Sequence, residues 1–402
     1  MITLLVPGYG SCGKANAREK LITVISSAFS KPDEQKYVRE KIIPEFEKKS
    51  NARVQFNVLS PEDAFDKLRV QKKAGRINTD VVIAYVSGFS DFVQEGLVSE
   101  ISEDRTYAEG FLNLGKFKGK LYFIPMLGDS YLLVANKKSL KYLTKNLKYA
   151  SKEMQIRNIT WEELVDWNDN IKKGTGKGKF ALPGARGNLL TYIIGCAILS
   201  YGGSFPDVAS DEAVSAWRMF TSLKEYINPS FSSYKEIVSP MKREETWIGV
   251  THSARANQVF LSDTQKYILA PVPCGPAERG CIVGSYGLGV INGTKKVALA
   301  KEFIRFITSP KILSKIAEGT GFTPAVKEAL QFIGGDSSRY RAIEESLRIF
   351  DSGKISYIPP ARRWGRVKAA FEDIYYQMVL GQRTIDKEYL RKQQRIIDEE
   401  LF

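Results

Sequence analysis

Residues 7–15 read PGYGSCGKA, and their types and spacing could bind the phosphates of a nucleotide. Gly8, followed after four residues by Gly13 and Lys14, matches most of a loop in which backbone N–H groups and a lysine surround phosphate oxygens. Ala15, however, occupies the position at which that loop uses a Ser or Thr hydroxyl to hold magnesium. The match to a phosphate loop is therefore incomplete.

The same segment has a second interpretation, as the remnant of an export signal. Residues 1–6 are largely apolar, and Cys12 stands where a lipid could be attached after export. A phosphate loop also needs a helix directly after it, but only six residues separate Lys14 from the apolar run that begins at Leu21. We therefore predict that residues 1–18 are an export remnant and tether, with Cys12 as the candidate lipid anchor.

Few other residues could do redox, metal or nucleophilic chemistry. The chain contains four cysteines and one histidine, His252, and no CxxC pair, which argues against a zinc or redox site. Cys274 and Cys281 flank a turn-rich loop, and a disulfide between them would contribute roughly 2.5 kcal/mol and require an oxidising compartment. Two free thiols are the alternative. His252 has no nucleophile or carboxylate at a catalytic spacing, so we do not predict a catalytic histidine.

The composition is that of an ordinary globular protein. Its 402 residues, 43% of them hydrophobic, suffice for two domains. The longest apolar run, residues 189–203, is too short to cross a bilayer. The formal charge of +14 arises from 59 Lys and Arg spread among 45 Asp and Glu, whereas a nucleic-acid partner requires basic residues gathered on one face. A basic chain rich in Lys, Glu and Tyr is also compatible with an exported thermophile protein.

From residue 21 onward, the hydrophobic pattern alternates between strands and helices. Apolar or alternating runs at residues 21–29, 53–60 and 79–86 predict strands, and helical periodicity at residues 31–49 and 61–75 predicts the helices between them. This order predicts a βαβαβ unit with a parallel sheet. Ligands bind such sheets beyond the carboxyl ends of the strands, so we expect the site there.

Residues 115–143 carry the most specific pattern, two consecutive strands of which the first contains a proline and the second ends in Asn-Lys ahead of a helix. The residues concerned are Gly119, Lys120, Tyr122, Pro125, 132–134, Asn136 and Lys137. Four later stretches follow in order, namely ITWEELVDWNDNIKK, SYGGSF, YILAPVPCGP and SYGLG through GFTP. Over residues 20–400, this succession resembles the extracellular solute-binding proteins of ABC transporters, specifically the sugar-binding group, family 1.

The resemblance implies an α/β fold, the two-lobed type II fold of periplasmic binding proteins. Each lobe would be a mainly parallel sheet flanked by helices, with the ligand in the cleft between the lobes and closure by hinge rotation. The expected boundaries are 19–124 plus 274–322 for lobe 1, 128–270 plus 325–402 for lobe 2, and 124–127, 270–273 and 322–324 for the hinge.

The resemblance also implies a transport receptor rather than an enzyme. Such a monomeric protein captures a sugar, here an oligosaccharide in our interpretation, in the periplasm or outside the cell and delivers it to the permease subunits of an ABC importer. No cofactor, metal or nucleic-acid partner is implied. Alternatives in the same fold are an anionic or phosphorylated solute, a polyamine or a metal chelate. A carbohydrate-active enzyme would need two carboxylates flanking one bond, and the sequence places one in the expected cleft.

Sugar binding requires aromatic faces for pyranose rings and planar polar groups for hydroxyls. The family's cleft positions, carried over to this chain, predict that the ligand contacts Tyr286, Phe322, Asp129, Trp364, Tyr85, Phe89, His252, Arg255, Trp247, Arg363 and Glu34. Each has a structural alternative, which is packing for the aromatic residues and helix capping or solvation for the charged ones. Tyr85 stands where the family usually has an acidic residue, and Gly88 stands where it usually has an aromatic one. These two departures concern the identity of the ligand and not membership of the family.

Overall fold

The computed structural model describes residues 20–103, 107, 111–187, 189–334, 337–349, 353–359, 361–381 and 383–401. The predicted tether at residues 1–18, with the lipid-anchor candidate Cys12 and the loop that ends at Lys14, lies outside the described residues. Among the residues that are described, no helix combines the length and the apolar character needed to cross a membrane.

The described residues form thirteen strands and sixteen α-helices. The strands are β1 Lys20–Ser26, β2 Ala52–Val58, β3 Val81–Tyr85, β4 Lys116–Phe117, β5 Lys120–Leu121, β6 Ile124–Asp129, β7 Tyr131–Asn136, β8 Phe180–Ala181, β9 Ile248–His252, β10 Tyr267–Pro271, β11 Gly280–Val290, β12 Thr323–Pro324 and β13 Lys354–Tyr357. The helices are α1 Pro32–Tyr37, α2 Ile43–Ser50, α3 Pro61–Lys73, α4 Phe89–Gln94, α5 Phe111–Leu114, α6 Lys152–Arg157, α7 Trp161–Thr175, α8 Leu190–Ser200, α9 Asp211–Leu223, α10 Val238–Lys242, α11 Ser253–Ser262, α12 Val297–Ile307, α13 Pro310–Thr320, α14 Ser338–Arg348, α15 Trp364–Ile374 and α16 Lys387–Glu400.

The first sheet has the strand order β12-β6-β11-β3-β1-β2, with β13 paired to β11. Strand β1 pairs in parallel with both β2 and β3, and α1, α2 and α3 connect them, which confirms the predicted βαβαβ unit. Strand β11 is antiparallel to β3 and β6, so the first sheet is mixed, with parallel and antiparallel pairs side by side. The reason is topological, because β6 leaves this sheet for the second one and β11 returns from it.

The second sheet has the order β10-β7-β9-β8 and is also mixed, since β7 is antiparallel to both of its neighbours while β8 and β9 are parallel. Strand β7 is buried along its whole length, as expected for a sheet covered on both faces. Helix α8 is buried at every position and packs against β11. The long apolar run of the sequence is therefore a core helix.

The chain changes sheets near two of the three predicted hinge segments, 124–127 and 270–273. Ser130 alone separates β6 from β7, three residues after the end of the predicted segment 124–127, which itself lies within β6. The segment 270–273 contains the end of β10, and 322–324 contains β12 at the edge of the first sheet. The lobe boundaries stay a prediction, and β13, from the segment assigned to lobe 2, pairs with β11 of the first sheet.

The start of α7 shows how local sequence fixes a helix boundary. The Thr160 hydroxyl accepts a hydrogen bond of 3.1 Å from the Glu163 N–H, and the Glu163 carboxylate accepts one of 3.1 Å from the Thr160 N–H. This reciprocal pair satisfies two backbone donors at the first turn. Gly176, with φ of 71°, ends the helix in the left-handed conformation that glycine adopts without strain. Both features agree with the sequence pattern.

Candidate functional site

A cleft of about 920 Å³ lies between the two sheets. It is bounded by the ends of β3, β6 and β9, by the centre of β11, and by residues 361–365, which lead into α15. Cavities that enclose small ligands usually measure about 300–1,000 Å³, so this one can hold a molecule of that class. Its position agrees with the rule that ligands bind beyond the carboxyl ends of strands.

The structure brings eight of the eleven predicted ligand-facing side chains to this cleft. They are Tyr85, Asp129, His252, Arg255, Tyr286, Phe322, Arg363 and Trp364. Most of them lie at strand ends or just beyond them, so the topology of the two sheets is what gathers them. The remaining three predicted side chains, Phe89, Trp247 and Glu34, do not line the cleft.

Each of these three departures has a structural cause. Phe89 is buried and stacks on Phe123, with ring centroids 3.9 Å apart and planes 2° apart. Trp247 precedes β9, at the opposite end of that strand from His252, and stacks on Tyr142. Glu34 is 1% exposed because its carboxylate is covered by Arg255. In this structure, these three side chains are therefore engaged in packing or ion pairing and not at the surface of the cleft.

Asp129 forms the floor of the cleft. It ends β6, lies opposite Gly284 in the register of β11, and is 2% exposed. A Cβ atom at Gly284 would come within 2.0 Å of the Tyr85 hydroxyl, so glycine is what allows the Tyr85 ring to extend past this point of β11. Within the described part of the chain, His252 is the ionisable side chain that approaches Asp129 to ion-pair distance.

The contact with His252 leaves Asp129 with acceptor capacity. His252 Nε2 lies 2.7 Å from Asp129 Oδ1, yet the ring N–H is not directed at the oxygen, and Oδ1 has no aligned hydrogen bond from any described residue. His252 Nδ1 accepts a hydrogen bond of 3.1 Å from the Ala254 N–H, which identifies the neutral tautomer with its proton on Nε2. The Oδ1 atom of Asp129 can therefore still accept a hydrogen bond from a bound molecule.

Two tyrosines beside the floor remain neutral over the physiological pH range. Burial raises the pKa of Tyr85 and of Tyr286, and the negative charge of Asp129 raises both further. A neutral phenol can donate and accept a hydrogen bond at the same time. The rings lie edge to face, with centroids 4.9 Å apart, and Phe322 packs at 90° to Tyr286. One wall of the cleft is therefore aromatic with polar tips.

A second wall of the cleft is also aromatic. Trp364, at the start of α15, stacks on Tyr192 of α8 with planes 15° apart, and its Nε1–H donates a hydrogen bond of 2.7 Å to the Tyr192 hydroxyl. Trp364 was predicted from the sequence, but Tyr192 was not. Tyr192 lies inside the apolar run of α8, where the sequence offers no sign that its hydroxyl reaches a cleft.

Polar contacts connect the two sides of the cleft at its edge. Arg255, on α11 behind the second sheet, forms an ion pair of 2.8 Å with Glu34 on α1 behind the first. Close by, Lys31 Nζ donates a hydrogen bond of 3.2 Å to Gln258 Oε1. Burial and the positive charge of Arg255 lower the pKa of Lys31. The two halves are therefore held together here without any ligand contact.

Other lining groups were not predicted from the sequence. They include Ser27, Ser87, Asp91, Lys235, Glu236 and Lys368. These are polar residues of loops or exposed helix faces, so nothing in their local pattern distinguishes them from surface positions. The described residues contain no group of three or more His, Cys, Asp or Glu side chains that could hold a metal ion.

We expect Asp91→Asn to stabilise the protein at neutral pH and to have little effect in acid. Burial raises the pKa of Asp91 to about 6, and the charge of Glu95 adds to the increase. Because this value exceeds the unfolded value of about 3.9, the wild type loses stability as pH rises between them, and the cost is fully present above the folded pKa. Solvent screening limits the gain to about 1 kcal/mol. Denaturant unfolding near pH 4 and pH 8 measures it, and equal gains at both would contradict it.

The predicted disulfide between Cys274 and Cys281 is absent. Both residues are free cysteines, as is Cys196. Cys281 is buried in β11, where its thiol faces the Cys196 thiol of α8, and Cys196 Sγ accepts a hydrogen bond of 3.2 Å from the Ile282 N–H. Cys274 instead lies in the segment beside α7, and its carbonyl accepts a hydrogen bond from the Trp161 N–H. The two side chains are therefore committed to different surroundings.

Comparisons with known proteins agree with this architecture. Residues 41–344 match the family described as bacterial extracellular solute-binding protein. A probable amino-acid ABC transporter periplasmic-binding protein of Sinorhizobium fredii is 20% identical over 260 residues, a match that covers 58% of each chain. The chain therefore spans less than two thirds of the length of that curated relative.

Solved structures share the fold at low sequence identity. The maltose-bound MalE3 of T. maritima superposes with a TM-score of 0.76 at 18% identity, covering 94% of this chain and 99% of that one. The GacH receptor of Streptomyces glaucescens, solved with acarbose, gives 0.74 at 18% identity over 95% and 99%. UgpB of Mycobacterium tuberculosis, in complex with glycerophosphocholine, gives 0.73 at 18% over 94% and 99%. Because the family match covers most of the chain, this protein belongs to the bacterial extracellular solute-binding protein family.

Proposed function

We propose that this protein is the solute receptor of an ABC importer and that its solute is a saccharide bound in the cleft. The observation that carries the proposal is the floor, where the buried carboxylate of Asp129 lacks an aligned donor and faces a space between two aromatic walls. Sugar hydroxyls supply such donors, and the C–H faces of pyranose rings pack on aromatic rings. The maltose and acarbose complexes of proteins with this fold support the choice.

The proposed receptor works by closure of the two halves. A saccharide that contacts both the Tyr286 wall and the Trp364 wall stabilises the closed arrangement through its differential contacts. The permease subunits then recognise that arrangement outside the membrane. We keep the predicted lobe boundaries, an extracellular or periplasmic location, a monomeric receptor and lipid attachment at Cys12 as parts of this proposal.

The charges of the cleft favour a neutral solute over an anionic one. Arg255 is already paired with Glu34, and Arg363 is paired with Glu400. Lys368 donates to the Gly187 carbonyl, and burial lowers its pKa. These cations therefore have protein partners. Hydrolysis of a glycosidic bond would need two carboxylates, and Asp129 is the one fully buried carboxylate among the described lining residues.

The test is a thermal-shift panel on the purified protein. We expect a neutral saccharide among maltose, maltotriose, cellobiose and mannobiose to stabilise the fold by about 2.7 kcal/mol at 100 times its dissociation constant. Amino acids and glycerophosphocholine form the comparison arms. One similar protein is named as a probable amino-acid-binding protein, and another was solved in complex with glycerophosphocholine. Stabilisation by an amino acid or a phosphodiester, with no response to any saccharide, would replace the sugar assignment and leave the fold unchanged.

A further inference from the structure

One wall of the cleft is built from the segment 361–365, which leads into α15 and includes its first two residues. Arg362 and Arg363 precede the helix, Trp364 and Gly365 begin it, and these four residues line the cleft. The N–H groups in the first turn of a helix have no partners within the helix, so the helix alone does not fix this segment. The position of the Trp364 ring therefore depends on contacts made by this segment with other elements.

The end of α16 supplies most of these contacts. Glu400 is 1% exposed. Its carboxylate accepts two hydrogen bonds from Arg363, from Nε at 3.0 Å and from Nη2 at 2.7 Å, and one from Arg366 Nη1 at 2.8 Å. A two-pronged contact between a guanidinium and a carboxylate fixes orientation as well as distance.

The backbone adds to this attachment. The Arg362 N–H donates a hydrogen bond of 2.7 Å to the Glu400 carbonyl, and Ala361 forms an isolated antiparallel bridge with Leu401. The segment is therefore tied to the last residues of the chain on its outer side. On its inner side, Trp364 is held by Tyr192 and by Phe205, whose ring centroid lies 6.0 Å away.

We propose that Glu400 is a positioning residue of the binding site, which sets the place of the Trp364 wall through Arg363 without touching the solute. Glu400 is absent from the cleft lining, whereas Arg363 and Trp364 are part of it. The role in affinity rests on the proposed function, but the role in fixing the segment does not. No family pattern or sequence motif points to this carboxylate.

The test compares Glu400→Gln with Glu399→Gln. Glu399 is the neighbouring carboxylate on the same helix and is exposed, so the control makes the same chemical change without touching the segment. Hydrogen–deuterium exchange of the ligand-free proteins reads out residues 361–366 directly. We expect faster exchange there in Glu400→Gln, and wild-type exchange there in Glu399→Gln and in the second sheet of both variants.

Affinity for maltotriose provides the second readout. Coupled neighbours interact by amounts that change an equilibrium by about 2-fold to 150-fold, and we expect the dissociation constant of Glu400→Gln to rise within this range. In an Arg363→Gln background, the same substitution should have a smaller effect, because the connection to the wall is already lost. A purely structural role would lower the melting temperature equally in both backgrounds and leave the affinity unchanged.

The outcomes separate the two proposals. Unchanged exchange at residues 361–366 in Glu400→Gln overturns the positioning role, whatever the solute is. Faster exchange with no binding of maltotriose, cellobiose or mannobiose by the wild type supports the positioning role and counts against the sugar receptor. If Glu400→Gln does not fold, Glu400→Asp keeps the charge, shortens the reach to Arg363, and is expected to show the same exchange pattern to a smaller degree.

Discussion

Asp129→Asn is expected to weaken saccharide binding about 100-fold. A hydrogen bond to a charged group contributes about 1.5–3 kcal/mol net, and a carboxylate that accepts from two hydroxyls of one sugar would lose most of that contribution as an amide. The amide also presents N–H donors where the floor offered only acceptors. Asp129 is buried and makes no ion pair with a described Lys or Arg. The substitution should therefore reduce the affinity for the solute and have little effect on the stability of the fold.

Isothermal titration of the saccharide found in the panel measures this loss. Glu62→Gln is the matched control, because Glu62 also lines the cleft but is exposed at its edge. We expect that control to bind within about twofold of the wild type, as surface charges contribute little to affinity. Equal binding by Asp129→Asn and the wild type would remove the observation on which the proposed function depends.

The sequence predicts the floor of this site well because topology decides it. Tyr85, Asp129 and His252 each end a strand, and Tyr286 lies in the middle of the strand that returns between the two sheets. Strands β3 and β6 are both antiparallel to β11, so their carboxyl ends lie at the same edge of the first sheet. His252, at the end of β9, pairs with Tyr131 just beyond β6 and so joins them. The same reasoning explains why the βαβαβ unit was predictable from hydrophobic periodicity.

The walls and the edge of the site depend on contacts that a single sequence does not show. Phe89 follows β3 by four residues, but whether it faces the cleft or Phe123 depends on the helical turn between them. Tyr192 occupies an ordinary position in a buried helix and becomes a wall only because Trp364 packs on it. The ion pair between Glu34 and Arg255 was also not predictable from the sequence, because 221 residues separate the two partners. Such pairings are properties of the assembled fold.

The direction of the strands that cross between the sheets was not predictable from the sequence, for a related reason. The strands that cross between the halves, β6 and β11, carry no mark of direction in their composition, because buried strands of both kinds are apolar runs. Similarly, the sequence left open whether Cys281 pairs with Cys274, whereas its neighbour in space is Cys196 on α8. Proximity along the chain is a weak guide once a segment belongs to a long central strand.

Arg255→Met is expected to lower the free energy of unfolding by about 3–5 kcal/mol. The substitution removes one member of a buried ion pair and leaves the carboxylate of Glu34, 1% exposed, without its partner. Arg186→Met is the control, because the Arg186–Asp373 pair has a comparable length of 2.7 Å but both side chains are about half exposed. Exposed pairs contribute about 0–1 kcal/mol. Denaturant unfolding of both variants measures the contrast.

The double substitution Glu34→Gln/Arg255→Met identifies the cause. If the loss arises from an unpaired buried charge, removing that charge restores most of the stability, whereas lost packing of the arginine stem would remain. Because the pair joins an element behind each sheet, its removal should also increase the radius of gyration of the ligand-free protein in X-ray scattering. A loss no greater than that of Arg186→Met would mean that the pair is solvated and the cleft open in solution. The solute contacts would then have to supply the whole free energy of closure, which lowers the apparent affinity by the population of the closed state.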